Sequence, residues 1–254
     1  MKVNTTKQKL LRGETSFGYH LGLGSPLAAE IVAGCGIDHV LLDTQHSSWG
    51  PESTILAFAL MAGSTATIMA RAAFNNFTMI GRLLDEGALG IVVPMVHTAE
   101  QARAAASACR FPPHGERSWG WAHARVYGDD YAEWIDEQVF VAVQIESALA
   151  AENAEAILAT PGVDGCWVGP GDLAFSLGFP PKEAAQHEEH ARVLERVVLA
   201  CRNTGKVPGI STNTIQDAIA RAGQGFRFVT TSSDLGFLFE GAAAGLRALG
   251  LAKG

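Results

Sequence analysis

The chain has 254 residues, 48% of them hydrophobic, and sets 19 Lys and Arg against 26 Asp and Glu for a formal net charge of -7. That is enough apolar material for one large core, and residues 1–254 read as a single domain. The scattered basic residues and acidic balance argue against a nucleic-acid partner. Lys2, Lys7, Lys9 and Arg12 leave only Leu10 and Leu11 between them, so no signal-peptide apolar region is expected. No apolar run reaches membrane-spanning length, and the expectation is a cytoplasmic protein without a membrane partner. Cys35, Cys109, Cys166 and Cys201 stand far apart, without Cys-x-x-Cys or zinc-site spacing, and are expected to be free thiols outside the chemistry.

In chain order, short apolar or β-branched runs alternate with Ala-rich helical stretches. Strands are predicted at Phe17–Leu21, His39–Leu42, Thr67–Ala70, Gly90–Val93, Val139–Ile145, Gly165–Val168, Lys206–Ile210 and Phe226–Thr230. Helices are predicted at Pro26–Ala33, Pro51–Ala62, Phe77–Glu86, Thr98–Cys109, Leu149–Ala159, His187–Thr204, Thr214–Ala222 and Leu235–Leu249. Ser25 before Pro26, Gly50 before Pro51 and Thr98 with Gln101 mark helix starts; Gly63, Gly87, Gly205 and Gly223 mark ends. Eight strand–helix units in this length favour a closed (β/α)8 barrel over an open sheet. Two irregular connections, Arg110–Asp130 and Gly169–Gln186, lie where barrel function collects.

Strand ends and the loops after them converge on one face of such a barrel. They carry Asp43-Thr44-Gln45-His46, Arg71, Gln144-Ile145-Glu146-Ser147 and Gly169-Pro170-Gly171-Asp172. Glu146 and Asp172 can share a hard divalent cation, Mg2+, Mn2+ or Co2+, or can instead cap the turns that follow them. His46 is a candidate general base or a structural histidine. Arg71 suits an enolate oxygen or a substrate carboxylate, and equally an ion pair with Asp43 or Asp85. Gly169–Asp172 reads as a tight turn whose Gly171 and Asp172 amides can meet an anion. Neither nucleotide-binding glycine motif occurs, nor does G-x-S-x-G, and His187 with His190 reads as a solvated helix face. Lys206 falls at the start of a strand, away from this face, which disfavours Schiff-base chemistry.

Several segments together resemble the HpcH/HpaI class II aldolases, including those that cleave 4-hydroxy-2-oxoheptanedioate. They are Ala29-Glu30-Ile31 with Gly36-Ile37-Asp38, Leu42 to His46, Leu83 to Ala88, Val93 to Val96, Phe111 to Pro113 with Gly115 to Arg117, Gln144 to Glu146, and Val163 to Leu173. The resemblance implies a metal-dependent pyruvate aldolase, a carbon–carbon lyase. It implies Glu146 and Asp172 as metal ligands, and His46 as an acid/base acting through a metal-bound water and oriented by Asp85. It further implies Arg71 at the enolate, Gln144 in the metal cavity, the Gly171 and Asp172 amides at the pyruvate carboxylate, and Arg125 facing the aldehyde. A dimer or trimer of dimers that exchanges its last helix is also implied.

The chain departs from the family pattern at Gln45, where Glu is usual, at His20, where Trp is usual, and at Ser118–His123, which carries two tryptophans. Trp119 and Trp121 suggest a bulkier, aromatic acceptor pocket. Other readings on the same scaffold are a decarboxylase of an oxo diacid, a multi-step synthase or a CoA-ester lyase. A non-enzymatic reading is an inactive barrel that binds a small anion.

Overall fold

The computed structural model describes residues 1–120 and 122–251. Eight parallel strands form the expected barrel: β1 Ser16–Leu21, β2 His39–Asp43, β3 Thr67–Arg71, β4 Gly90–Val93, β5 Phe140–Gln144, β6 Gly165–Trp167, β7 Gly209–Ser211 and β8 Phe228–Ser233. Their order is β6-β5-β4-β3-β2-β1-β8-β7, and single bridges Gly165–Val207 and Val168–Ile210 join the two ends. The last two strands start later than the sequence suggests. Pro208 has no N–H to give a ladder, and regular pairing in β7 begins after it.

Alternation along the strands sorts the core into two shells. Leu41, Met69, Val92, Phe140, Ala142, Trp167 and Phe228 fill the barrel interior. Val40, Leu42, Ile68, Ala70, Ile91, Val93, Val141 and Val143 belong to the outer shell, with the helices. A helix the sequence reading missed, Thr5–Leu11, closes the lower end: Leu10 joins the interior cluster, and Asn4 caps the helix by accepting from the Lys7 amide. Two other helices were also unforeseen, Tyr131–Gln138 and Pro170–Ser176. The stretch predicted as Leu149–Ala159 is two short helices meeting at Asn153.

The start signals act largely as expected. Ser25 accepts from the Ala28 amide and Thr98 from the Gln101 amide. The Gln101 side chain, however, accepts from the His97 amide at 2.7 Å, so no full capping box forms. Gly205 ends its helix in the left-handed conformation, at φ 67°, which an L side chain resists. Among the described residues no helix is long and apolar enough to cross a membrane, and all four cysteines are free thiols.

Candidate active site

The residues that follow the interior phase one step above the core form the mouth of the barrel. Asp43 is two positions beyond Leu41, Arg71 two beyond Met69, Gln144 two beyond Ala142 and His20 two beyond Gly18. Trp167, paired in register with Gln144, is the floor beneath them and is fully buried. The Arg71 guanidinium carbon lies 5.3 Å from the centroid of its ring, and His20 meets it edge-on at 6.0 Å. Sequence reasoning missed Trp167, although its odd-numbered phase in Gly165-Cys166-Trp167 points inward.

The ion-pair reading of Arg71 holds, with Asp43 as the partner. Its Nε and Nη2 donate to the two carboxylate oxygens of Asp43, on the adjacent strand, and both side chains are buried. Among the described residues Nη1 makes no hydrogen bond. Burial alone would raise the Asp43 carboxyl, but the hydrogen bonds and charge of Arg71 outweigh it and hold the pKa at about 2. Asp43 Oδ1 also accepts from the Gln45 and His46 amides, at 3.0 and 3.3 Å. The His46 side chain stands exposed at the rim.

Opposite this pair, Glu146 is only 3% exposed. Met95 donates its amide to Oε1 at 2.8 Å, and Met95 adopts a left-handed φ of 54° to do so; Gln144 Nε2 donates to Oε2. Burial pushes the Glu146 carboxyl up to about 7, with the negative charge of Asp172 adding to it and the Met95 amide and Arg71 opposing it. Helix capping is not its role, since Ser147 caps the following helix by accepting from the Ala150 amide. The backbone at Gly169 approaches Glu146 so closely that a Cβ there would sit 2.7 Å from Oε2. Gln144 Oε1 is buried and lacks a hydrogen-bond partner among the described residues.

Gly169–Asp172 is not an isolated turn. Gly169 is the N-cap and Pro170 the first residue of the helix Pro170–Ser176, so Gly171 and Asp172 lie in its first turn, where amides have no intrahelical acceptor. Asp172 is exposed and no side-chain cap bond is made at that N-terminus.

The His46–Asp85 pairing implied by the resemblance is absent among the described residues. Asp85 Oδ1 accepts instead from Arg117 Nη2 at 2.7 Å. Arg117 is buried, with its guanidinium over the Phe111 ring at 4.4 Å and its Nη1 donating to the Tyr131 hydroxyl. Gly120 passes Asp85 Oδ2 so closely that a Cβ would come within 3.1 Å. Arg125 is exposed on the short 3-10 helix Ala122–Tyr127. Trp119 is 63% exposed and packs on Phe111 at 5.6 Å; Trp121 lies outside the described residues.

Residues 16–240 match the HpcH/HpaI aldolase/citrate lyase family. The chain belongs to that family. A 4-hydroxy-2-oxovalerate aldolase of Rhodococcus jostii (strain RHA1) is 38% identical over 246 residues, covering 95% of this chain and 94% of the relative. A hydroxypyruvate/pyruvate aldolase of Roseobacter denitrificans (strain ATCC 33942 / OCh 114) is 35% identical, with 94% of each chain covered. The crystal structure of a family protein from Burkholderia cenocepacia J2315 superposes with a TM-score of 0.90 at 31% identity, covering 97% of this chain and 99% of that one. With this membership the protein is a lyase of the aldolase type.

Proposed function

We propose that the chain is a class II pyruvate aldolase that cleaves 4-hydroxy-2-oxo acids to pyruvate and an aldehyde and runs the reverse addition. The observation that carries this reading is a buried carboxylate, Glu146, held by the Met95 amide and Gln144 across the mouth from the Arg71–Asp43 pair. The residues present fit a divalent cation. Glu146 and Asp172 are hard oxygen donors from adjacent units, Gly169 puts no side chain against Glu146 Oε2 where a Cβ would crowd it, and Gln144 Oε1 is an acceptor still to be satisfied. Mg2+, Mn2+ or Co2+ held there would supply Lewis acidity to the oxygens of the oxo acid.

The chain's own side chains account for the rest. The Gly171 and Asp172 amides donate to the substrate carboxylate. Arg71, fixed by Asp43 through two of its nitrogens, keeps Nη1 for the keto oxygen and opposes the charge that grows there as the C3–C4 bond breaks to an enolate. His46 takes the proton of the C4 hydroxyl in cleavage, while the enolate takes up a proton at C3 from solvent to leave as pyruvate; in addition both transfers run in reverse. Arg125, Trp119 and Trp121 stand on the long connection that faces the aldehyde.

The last helix, Asp234–Ala248, exposes Leu235, Leu238, Phe239 and Leu246, which supports a homo-oligomer, a dimer or trimer of dimers, built by exchange of that helix. The free thiols suit a reducing compartment and support a cytoplasmic location. The test is pyruvate release from a panel of 4-hydroxy-2-oxo acids, with EDTA and with each metal added back. Release from several members, abolished by EDTA, is the expected result. Full activity in EDTA removes the metal, and release from none removes the aldolase.

A further inference from the structure

His187 and His190, expected on a solvated helix face, are turned inwards instead: His190 is only 3% exposed and His187 is half-buried. They stand at the start of the helix Glu188–Thr204 and meet the end of the second irregular connection. His187 stacks on the buried Phe179 ring at 3.9 Å with the planes 8° apart, and His190 meets the same ring edge-on at 6.2 Å. Phe179 is in turn tied to the helix Pro170–Ser176, its amide donating to the Ala174 carbonyl at 3.1 Å. The His190 ring is therefore fixed against the short helix that carries Asp172.

One polar atom makes the direct contact. His190 Nε2 lies 3.2 Å from the Pro170 carbonyl oxygen. A carbonyl oxygen only accepts, so Nε2 carries the proton and donates. The Pro170 carbonyl and the Gly171 N–H belong to one planar trans peptide group and point in opposite directions. Holding one end therefore aims the other. Among the described residues the Gly171 and Asp172 amides donate to no acceptor; Leu173 is the first amide of this helix to find one, the Gly169 carbonyl at 3.1 Å. Gly171 has no side chain to brace the plane, and the nearest surrounding atom to a Cβ placed there is that of Pro181, at 3.9 Å. A donor at the carbonyl end also polarises the peptide and makes its N–H a stronger donor.

We infer that His190 is a positioning residue for the reaction: through the Pro170 carbonyl it sets and polarises the Pro170–Gly171 peptide, so that the Gly171 N–H meets the carboxylate of the 2-oxo acid. The inference rests on the pyruvate aldolase reading for what that amide meets. An apolar side chain of similar volume would fill the space against Phe179 equally well; what histidine adds is the single donor. The effect falls on binding rather than on the chemical step. The substrate carboxylate keeps its bonds while C3–C4 breaks, so the hold on it is the same in the ground state and the transition state.

His190→Leu and His190→Met remove the donor and keep an apolar filler, two variants guarding against one of them misfolding. His190→Gln returns an N–H at the same distance along the side chain. Calorimetric titration of pyruvate into the Mn2+-supplied proteins is expected to show both apolar variants binding about five- to tenfold more weakly than wild type, the scale of one hydrogen bond, with the glutamine variant close to wild type. With a 4-hydroxy-2-oxo acid, KM is expected to rise by the same factor in the apolar variants while kcat stays within about twofold. Wild-type affinity for pyruvate in the apolar variants, an equal loss in the glutamine variant, or a fall in kcat at unchanged KM overturns the positioning role. Pyruvate release is scored separately. Pyruvate binding that depends on the His190 donor, without release from any 4-hydroxy-2-oxo acid, keeps the positioning role and removes the aldolase; release with a KM indifferent to His190 does the reverse.

Discussion

Replacing Asp43 by Asn keeps the shape of the mouth and removes one charge. Asp43 is 3% exposed and receives two bonds from a buried guanidinium, so the substitution leaves Arg71 without its counter-charge. Two routes give the size of the effect. Breaking a buried pair by removing one partner costs about 3–5 kcal/mol. The fall of the Asp43 carboxyl from 3.8 to about 2 corresponds to about 2.5 kcal/mol. The sign follows from the depressed value: the contribution is complete above the unfolded pKa near 4 and disappears as pH falls through 2. Urea unfolding of Asp43→Asn and wild type at pH 7 is therefore expected to differ by roughly 2–4 kcal/mol, and the gap is expected to close between pH 4 and pH 2. Turnover is expected to fall as well, because Asp43 also holds the Gln45 and His46 amides. Parallel pH profiles for the two proteins would refute the argument.

Glu146 has the opposite sign. Its carboxyl stays protonated to about 7 in the folded chain but only to 4.5 in the unfolded one, so its own contribution to the stability of chelator-treated protein is complete below pH 4.5 and is lost as pH rises through 7. Thermal melts in EDTA at pH 5 and pH 8 are expected to show this loss, and Glu146→Gln is expected to abolish both the slope and the rise in Tm on adding Mn2+. Gly169→Ala places a Cβ 2.7 Å from Glu146 Oε2, and the fold is expected to survive while the Mn2+-induced rise in Tm and the turnover are lost; far-UV circular dichroism and the same melts check this. Arg117→Met removes the cation shared by Asp85, Phe111 and Tyr131 and leaves an acidic group unpaired at the loop base. A loss of about 3 kcal/mol and faster proteolytic cleavage between residues 111 and 130 are expected.

The strands and the ends of strands were the legible part. Asp43, Arg71 and Gln144 each end a run of apolar residues in the same phase, and a period of two is a local property of the sequence. The helix Thr5–Leu11 was illegible for the converse reason: seven residues with two buried side chains give too short a pattern to stand out, and its stability comes from the barrel it closes. Pro170 at the start of a helix was a usable signal, masked by the glycines on both sides of it. Asp85 and Arg117 are 32 positions apart, in a helix and an irregular connection, and nothing local predicts their contact. The register shift between Tyr19 and His20 is equally a property of pairing, since it exists only where β8 meets β1.

The shared phase of core and mouth has an evolutionary consequence. Met69 and Arg71, Leu41 and Asp43, Ala142 and Gln144 are successive steps on one ruler, the lower step filling the barrel and the upper one forming its mouth. Shifting any of these strands by one residue would turn the upper side chain into the outer shell and drive an outer-shell residue inward at the same stroke. Drift in register is therefore filtered by folding before catalysis is ever tried. New substrate preferences are left to arise by exchange of single side chains at the upper step or by change in the loops above it.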